Sequence, residues 1–168
     1  MLIGISGTHG VGKTTFMYEL ARKYKISHPQ MEVEVLREGA RRCPLGMLSR
    51  YNHTVSLATQ LWMFGRQIEK EIGRERKAIT VSDRTVFDVI GYTMLVDEEL
   101  AAEMFAIAMR MEYDKIYFVR PTGGVIEDGK RNGDEEIRRQ VDLNLEKIFS
   151  SKDINVKEIK IHHMGGRG

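Results

Sequence analysis

Met1-Leu2-Ile3-Gly4-Ile5-Ser6 runs directly into Gly7-Thr8-His9-Gly10-Val11-Gly12-Lys13-Thr14-Thr15. An apolar, strand-like run is followed by the phosphate-loop pattern G-x-x-x-x-G-K-[ST]. The spacing has a chemical reason. A polyphosphate must be wrapped by backbone N–H groups, so Gly7, Gly10 and Gly12 supply turns and a close approach that side chains would block. A helix starting near Lys13 then aims its unpaired N–H groups and positive dipole end at the anion. Lys13 is expected to bridge the terminal phosphates and Thr14 to give its hydroxyl to Mg²⁺, with Thr8, His9, Val11 and Thr15 completing the nucleotide-binding loop.

A chain of 168 residues fits one domain, spanning 1–168, which must hold both substrates of any transfer reaction. Lys and Arg number 26 against 24 acidic residues, a net charge of +2, so the overall field gives no strong pull towards nucleic acid or membrane. The single Cys43 excludes an internal disulfide and a multi-cysteine metal cluster. No run approaches membrane-spanning length and no leader-like segment opens the sequence, so a cytoplasmic protein is expected.

Strand and helix patterns alternate along the chain. Thr14 to about Lys25 reads as a helix with Phe16, Leu20 and Tyr24 inward. Residues 31–37 alternate apolar and charged side chains, as a strand near the sheet edge does. A long helix is expected from about Thr54 to Gly73, with Leu57, Leu61, Phe64, Ile68 and Ile72 as its stripe. Residues 77–82 read as a central strand continuing into Asp83-Arg84, followed by a helix burying Val86, Ile90 and Met94. Asp97 caps the next helix, with Glu98 and Glu99 matched to its dipole. Lys115–Arg120 is the fourth strand, Asp134 caps a helix that buries Ile137, Val141, Leu145 and Ile148, and 154–161 is the last strand. His162 and His163 lack metal-ligand spacing and are assigned no site.

Five strands alternating with helices predict an α/β fold, a mostly parallel sheet covered on both faces with ligands at the strand C-terminal ends. The loops at 7–14, 38–42, 83–84 and 121–133 all follow strands and so share that edge.

These features together resemble the P-loop nucleoside and nucleotide kinases. The shared residues are Gly7-x4-Gly12-Lys13-Thr14, Arg37-Glu38 closing the second strand, Asp83-Arg84 closing the third and an Arg-bearing segment after the fourth. Glu38-Gly39-Ala40-Arg41, Asp83-Arg84-Thr85 and Glu127-Asp128-Gly129-Lys130-Arg131 are most similar to the small ATPase/kinase group that includes the ribosylnicotinamide kinase domain. The resemblance implies the three-layer P-loop NTPase fold with strand order 2-3-1-4-5, and ATP and Mg²⁺ as cofactors. It also implies that Arg84 lies near the phosphates and that Glu38 orients or deprotonates the acceptor hydroxyl, where a solvated charge and a plain loop glutamate are the alternatives. Asp83 is placed to hold Mg²⁺, and equally to cap the following helix.

Arg41 is expected to hold an anionic part of the acceptor. Trp62 and Arg66, with Thr59 and Gln60 beside them, are similar to the base-binding pair of thymidylate kinases, in which a ring stacks on the base and a guanidinium reads its edge. An aromatic beside an apolar stripe serves equally as core. Residues 121–139 read as a small lid, hinged on glycines, whose Arg131 and Arg138 reach phosphate on closure and shut out water. Arg138 and Arg139 cannot face the same point on a helix.

The expected function is a phosphotransferase, a kinase moving the γ-phosphoryl group of ATP to a nucleoside, nucleotide or related acceptor by direct in-line transfer. A kinase of a hydroxylated base in DNA is the rival within the class, with a salt-sensitive affinity for polymer. An NTP-dependent switch is the rival outside it, against which the missing Asn-Lys-x-Asp motif and the arginine-rich lid weigh. Pairing of two copies as a homodimer is left open.

Overall fold

The computed structural model describes residues 1–39, 43–44, 56–121, 132–151 and 153–161. Arg41 and Arg131 lie outside these residues, as do 122–130 of the expected lid and both C-terminal histidines. In chain order the elements are β1 (Leu2–Ser6), α1 (Lys13–Ser27), β2 (Val33–Leu36), α2 (Leu57–Ile72), β3 (Ile79–Asp83), α3 (Val86–Thr93), α4 (Glu98–Ala108), β4 (Lys115–Arg120), α5 (Asn132–Phe149) and β5 (Val156–Lys160).

All neighbouring strands are parallel, in the order β2-β3-β1-β4-β5. Every residue of β1 and β3 is buried, as strands covered on both faces must be. The charged alternation of Val33–Leu36 and Val156–Lys160 belongs to the two edges. Register sets Ile5 beside Asp83, Leu36 beside Ser82 and Ser6 beside Phe118, so the strands end on one rim and their following residues leave from it together.

Alternation along the strands feeds two cores. Ile3, Ile5, Val81 and Val119 pack with Val11, Met17, Leu20 and Ala21 under α1. Ile116 and Phe118 face the other way, into a larger cluster with Phe64, Val86, Phe87, Ile90, Met104, Val141 and Leu145 from α2 to α5. A side chain at Gly4 would collide with Thr85 and the Tyr113 ring, so its absence lets the start of α3 press onto the central strand.

Two helices differ from expectation. Of the expected stripe of α2, Phe64 is buried and Ile68 packs against the core, but Leu57, Leu61 and Ile72 are 40%, 47% and 55% exposed, and Gln67 and Glu71 are buried in their stead. Hydropathy periodicity assigns polar side chains to the outside, whereas these two satisfy one another inside. The helix α5 opens at Asn132, which puts Asp134 in the first turn rather than at the cap. Among the described residues no helix is long and apolar enough to cross a membrane.

Candidate active site

The phosphate loop joins β1 to α1 with three glycines at positive φ: Gly7 at 145°, Gly10 at 77° and Gly12 at 87°. A Cβ on Gly7 would meet the Val119 carbonyl oxygen at 2.5 Å, so the loop lies against the backbone of β4. Val11 anchors the loop in the α1 core, Thr8 is fully buried, and Thr14 and Thr15 lie exposed in the first turn of α1. Lys13 is 6% exposed, and its ammonium donates to the Thr8 carbonyl, tying the two ends of the loop together. Burial lowers its pKa to about 8, helped by the charge of Arg84 and opposed by Asp88, Asp83 and Glu38.

Asp83, at the end of β3, is 4% exposed and accepts a 2.6 Å hydrogen bond from the Thr14 hydroxyl. It does not cap α3. That position belongs to Thr85, in a capping box with Asp88, because Arg84 intervenes with a left-handed backbone. Asp83 is thereby left facing Thr14.

Asp88 has a role that the sequence reading missed. One of its oxygens accepts from the Thr85 backbone N–H at 2.8 Å and hydroxyl at 2.9 Å, and the other from the Gly7 N–H at 2.9 Å. A fully buried carboxylate therefore fixes the start of α3 to the start of the phosphate loop. Thr85-Val86-Phe87-Asp88 carries the capping-box spacing, the local signal for it.

Arg84 is the only non-glycine residue with positive φ among those described, at 83°. Its side chain forms an ion pair with Glu38, lies 3.9 Å from Asp88, and sits 5.8 Å over the Tyr92 ring. Burial works against its charge, but Glu38, Tyr92 and Asp88 outweigh it and the net shift is upward. Tyr92, a second unforeseen member, shares a 2.9 Å hydrogen bond with Nδ1 of His9 in the phosphate loop. Arg84, its side chain 12% exposed, is thus not a solvated charge, and the partly exposed Glu38 is joined through it to Tyr92 and the loop.

On α2, the Arg66 stem lies beside Gly39, where a Cβ would be 3.7 Å away, and its guanidinium pairs with Glu69. Trp62 is one turn away and half-buried, as are Thr59 and Gln60. Met63 and Ile68, not Trp62, pack against the buried clusters of described residues. From α5, Arg138 comes to the loop, its guanidinium carbon 3.8 Å from where a Cβ on Gly10 would stand. Arg139 points elsewhere and pairs with Glu136 on the surface. No cluster of three or more His, Cys, Asp or Glu suited to a metal occurs among the described residues.

The family model for the AAA domain, AAA_28, matches residues 2–167. No curated protein matches the sequence. Among solved structures, thymidylate kinase from Ehrlichia chaffeensis is similar with a TM-score of 0.71 at 18% identity, over 99% of this chain and 90% of that one. Deoxyadenosine kinase from M. mycoides, with dCMP and a flexible dCDP bound, is similar at 0.68 and 16%, over 95% and 89%. The same enzyme with bound dATP matches at 0.67 and 18%, over 95% and 91%. With its glycine loop, parallel sheet and strand order, the chain belongs to the AAA_28 family and has the P-loop fold on which those nucleoside and nucleotide kinases are built.

Proposed function

We propose that the chain is a kinase that transfers the γ-phosphoryl group of ATP, with Mg²⁺, to a hydroxyl or phosphate of a nucleoside, nucleotide or related small acceptor. The observation that carries this reading is the linked placement of Lys13, the Thr14–Asp83 pair and the Glu38–Arg84 pair around one loop on one rim. The shared fold with thymidylate and deoxyadenosine kinases supports an acceptor of nucleotide type.

Each residue has a task set by its chemistry. Loop N–H groups and Lys13 bind the polyphosphate, and Arg138 adds charge from α5. Thr14 and Asp83 present adjacent oxygen donors, a set that suits a small hard cation retaining several waters. Mg²⁺ held there supplies charge neutralisation to the phosphates. With a hydroxyl acceptor, Glu38 takes the hydroxyl proton as the acceptor oxygen bonds to the γ-phosphorus, whereas a phosphate acceptor attacks through an anionic oxygen with no proton to give up; in either case the bond to the bridging oxygen breaks and ADP leaves with that electron pair. Arg84 offsets charge on the transferred group. Trp62 and Arg66, with Thr59 and Gln60, receive the acceptor's base. Arg41 and Arg131 retain the roles expected from the sequence, at the acceptor and in the lid.

The test is transfer from γ-labelled ATP to a panel of nucleosides, mononucleotides and DNA carrying hydroxylated bases, comparing native protein with Lys13→Ala. Label reaching a small acceptor, and falling by about 100-fold or more in the variant, supports the reading. Transfer undiminished in the variant overturns the role of Lys13. Label reaching only DNA overturns the small acceptor.

A further inference from the structure

The corner between β3 and α3 is held at every backbone polar group. Arg84 donates its N–H to the Ile5 carbonyl at 3.0 Å, Thr85 donates its own to Asp88 at 2.8 Å, and Val86 donates to the Tyr113 hydroxyl at 3.0 Å. The Arg84 carbonyl accepts from the Gln67 amide at 3.0 Å. Two of these four contacts come from a buried polar cluster that the transfer chemistry does not use. Gln67 Nε2 also lies 2.7 Å from Glu71 Oε1 and 3.0 Å from the Ser82 hydroxyl, while Tyr113 donates to the other Glu71 oxygen at 2.6 Å. Gln67 is 4% exposed, and Glu71 and Ser82 are fully buried.

Packing alone does not call for these residues. Apolar side chains of similar volume would fill the α2–α3 contact without the desolvation that a buried glutamate carries. What they supply is direction. Arg84 has a backbone conformation that L-residues with long side chains rarely adopt, and such a residue stays there only when its surroundings over-determine it. Gln67 grips the carbonyl on one side of the corner and Tyr113 the N–H on the other, with Glu71 orienting both. The guanidinium is thereby aimed at Glu38 and over Tyr92, next to the phosphate loop.

We propose that Gln67, Glu71 and Tyr113 are positioning residues that hold the Arg84 corner in its left-handed conformation and so set the guanidinium against Glu38. The inference rests on the kinase reading for its effect on rate, and on geometry alone for its effect on Arg84.

Gln67→Met keeps the length of the side chain and removes the donor; Tyr113→Phe removes the hydroxyl from the other side of the corner and serves if the first variant does not fold. Three quantities are read in each: steady-state transfer to whichever panel acceptor the native protein phosphorylates, affinity for a fluorescent ATP analogue, and the Nε–H NMR resonance of Arg84, assigned through Arg84→Lys. The expected result is a fall in kcat of about 10- to 100-fold, since displacement of a site group by about 1 Å costs that much. Affinity for the analogue stays within about threefold, because the phosphate loop is untouched. The Arg84 resonance shifts or broadens as its bond to Glu38 loosens. A lowered melting temperature with kcat within about threefold and an unmoved Arg84 resonance overturns the inference, leaving the cluster only a packing role. If the native protein phosphorylates nothing, the kinase reading fails and the Arg84 resonance alone decides the positioning.

Discussion

Thr14 and Asp83 stand 69 positions apart in sequence and share a 2.6 Å hydrogen bond, joining the first turn of α1 to the last residue of β3. The parallel pairing of Ile5 with Asp83 brings this about, because it stops β3 level with the strand that feeds the phosphate loop. Asp83→Asn keeps an acceptor for the Thr14 hydroxyl and removes only charge. Stability to urea should stay within about 1 kcal/mol of the native value. Phosphoryl transfer should fall by about 100-fold or more, with a higher Mg²⁺ concentration at half-maximal rate. A native Mg²⁺ dependence in Asp83→Asn would take Asp83 out of the metal site.

Asp88 couples the capping of α3 to the phosphate loop, so its removal should be felt in both. Asp88→Ala leaves the N–H groups of Gly7 and Thr85 buried without an acceptor. A loss of about 3 kcal/mol in urea unfolding is expected from the lost cap and the stranded donors. Affinity for a fluorescent ATP analogue should weaken in the same variant. Thr85→Ala should cost about 1 kcal/mol through the cap and leave nucleotide affinity unchanged. Equal nucleotide affinity in the two variants would show that Gly7 does not depend on Asp88.

Glu38 and Arg84 should respond to conservative changes differently. Glu38→Gln preserves size and hydrogen bonding but cannot take a proton, so kcat should fall by about 10²- to 10⁴-fold with little change in the KM for ATP. Arg84→Lys keeps the charge but loses the planar fork that meets Glu38 and lies over Tyr92. A smaller loss, about tenfold, is expected there. Rates in Glu38→Gln within threefold of native would exclude it as the base.

The parts of this site legible in the sequence are those fixed by local backbone rules. Gly7, Gly10 and Gly12 have the positive φ that a phosphate loop demands, and Asp97 caps α4 by accepting from Leu100, as its place before two glutamates implies. The edge position of β2 followed from charge alternation, and that of β5 only from the strand order that the family resemblance implied. What the sequence hid is long-range satisfaction of polar groups. The exposed Leu61 and the buried Glu71 reverse the hydropathy order on one helix because Tyr113, 42 positions away, comes to meet the carboxylate. Tyr92 was hidden for the same reason, since its partner His9 lies 83 positions earlier. The inward placement of Arg84 was implied by the family resemblance alone, because no local pattern announces the left-handed backbone that produces it.

Glu71 gives the fold a pH dependence whose sign follows from its burial. Desolvation raises its pKa from 4.5 to about 7, against the hydrogen bonds from Tyr113 and Gln67 and the charge of Lys70, with Asp88 adding to the rise. Below the unfolded value both states hold the proton, so the group is neutral to the balance. Between the two values only the folded state holds it, and stability falls as pH rises; above the folded value the loss is complete. The full difference is about 3 kcal/mol at most. Glu71→Gln cannot titrate, so the stability of the native protein relative to this variant should decline between pH 5 and pH 8 and level off beyond. Urea unfolding of both proteins at a series of pH values measures this directly, and parallel curves would mean that Glu71 ionises inside the fold as readily as in water.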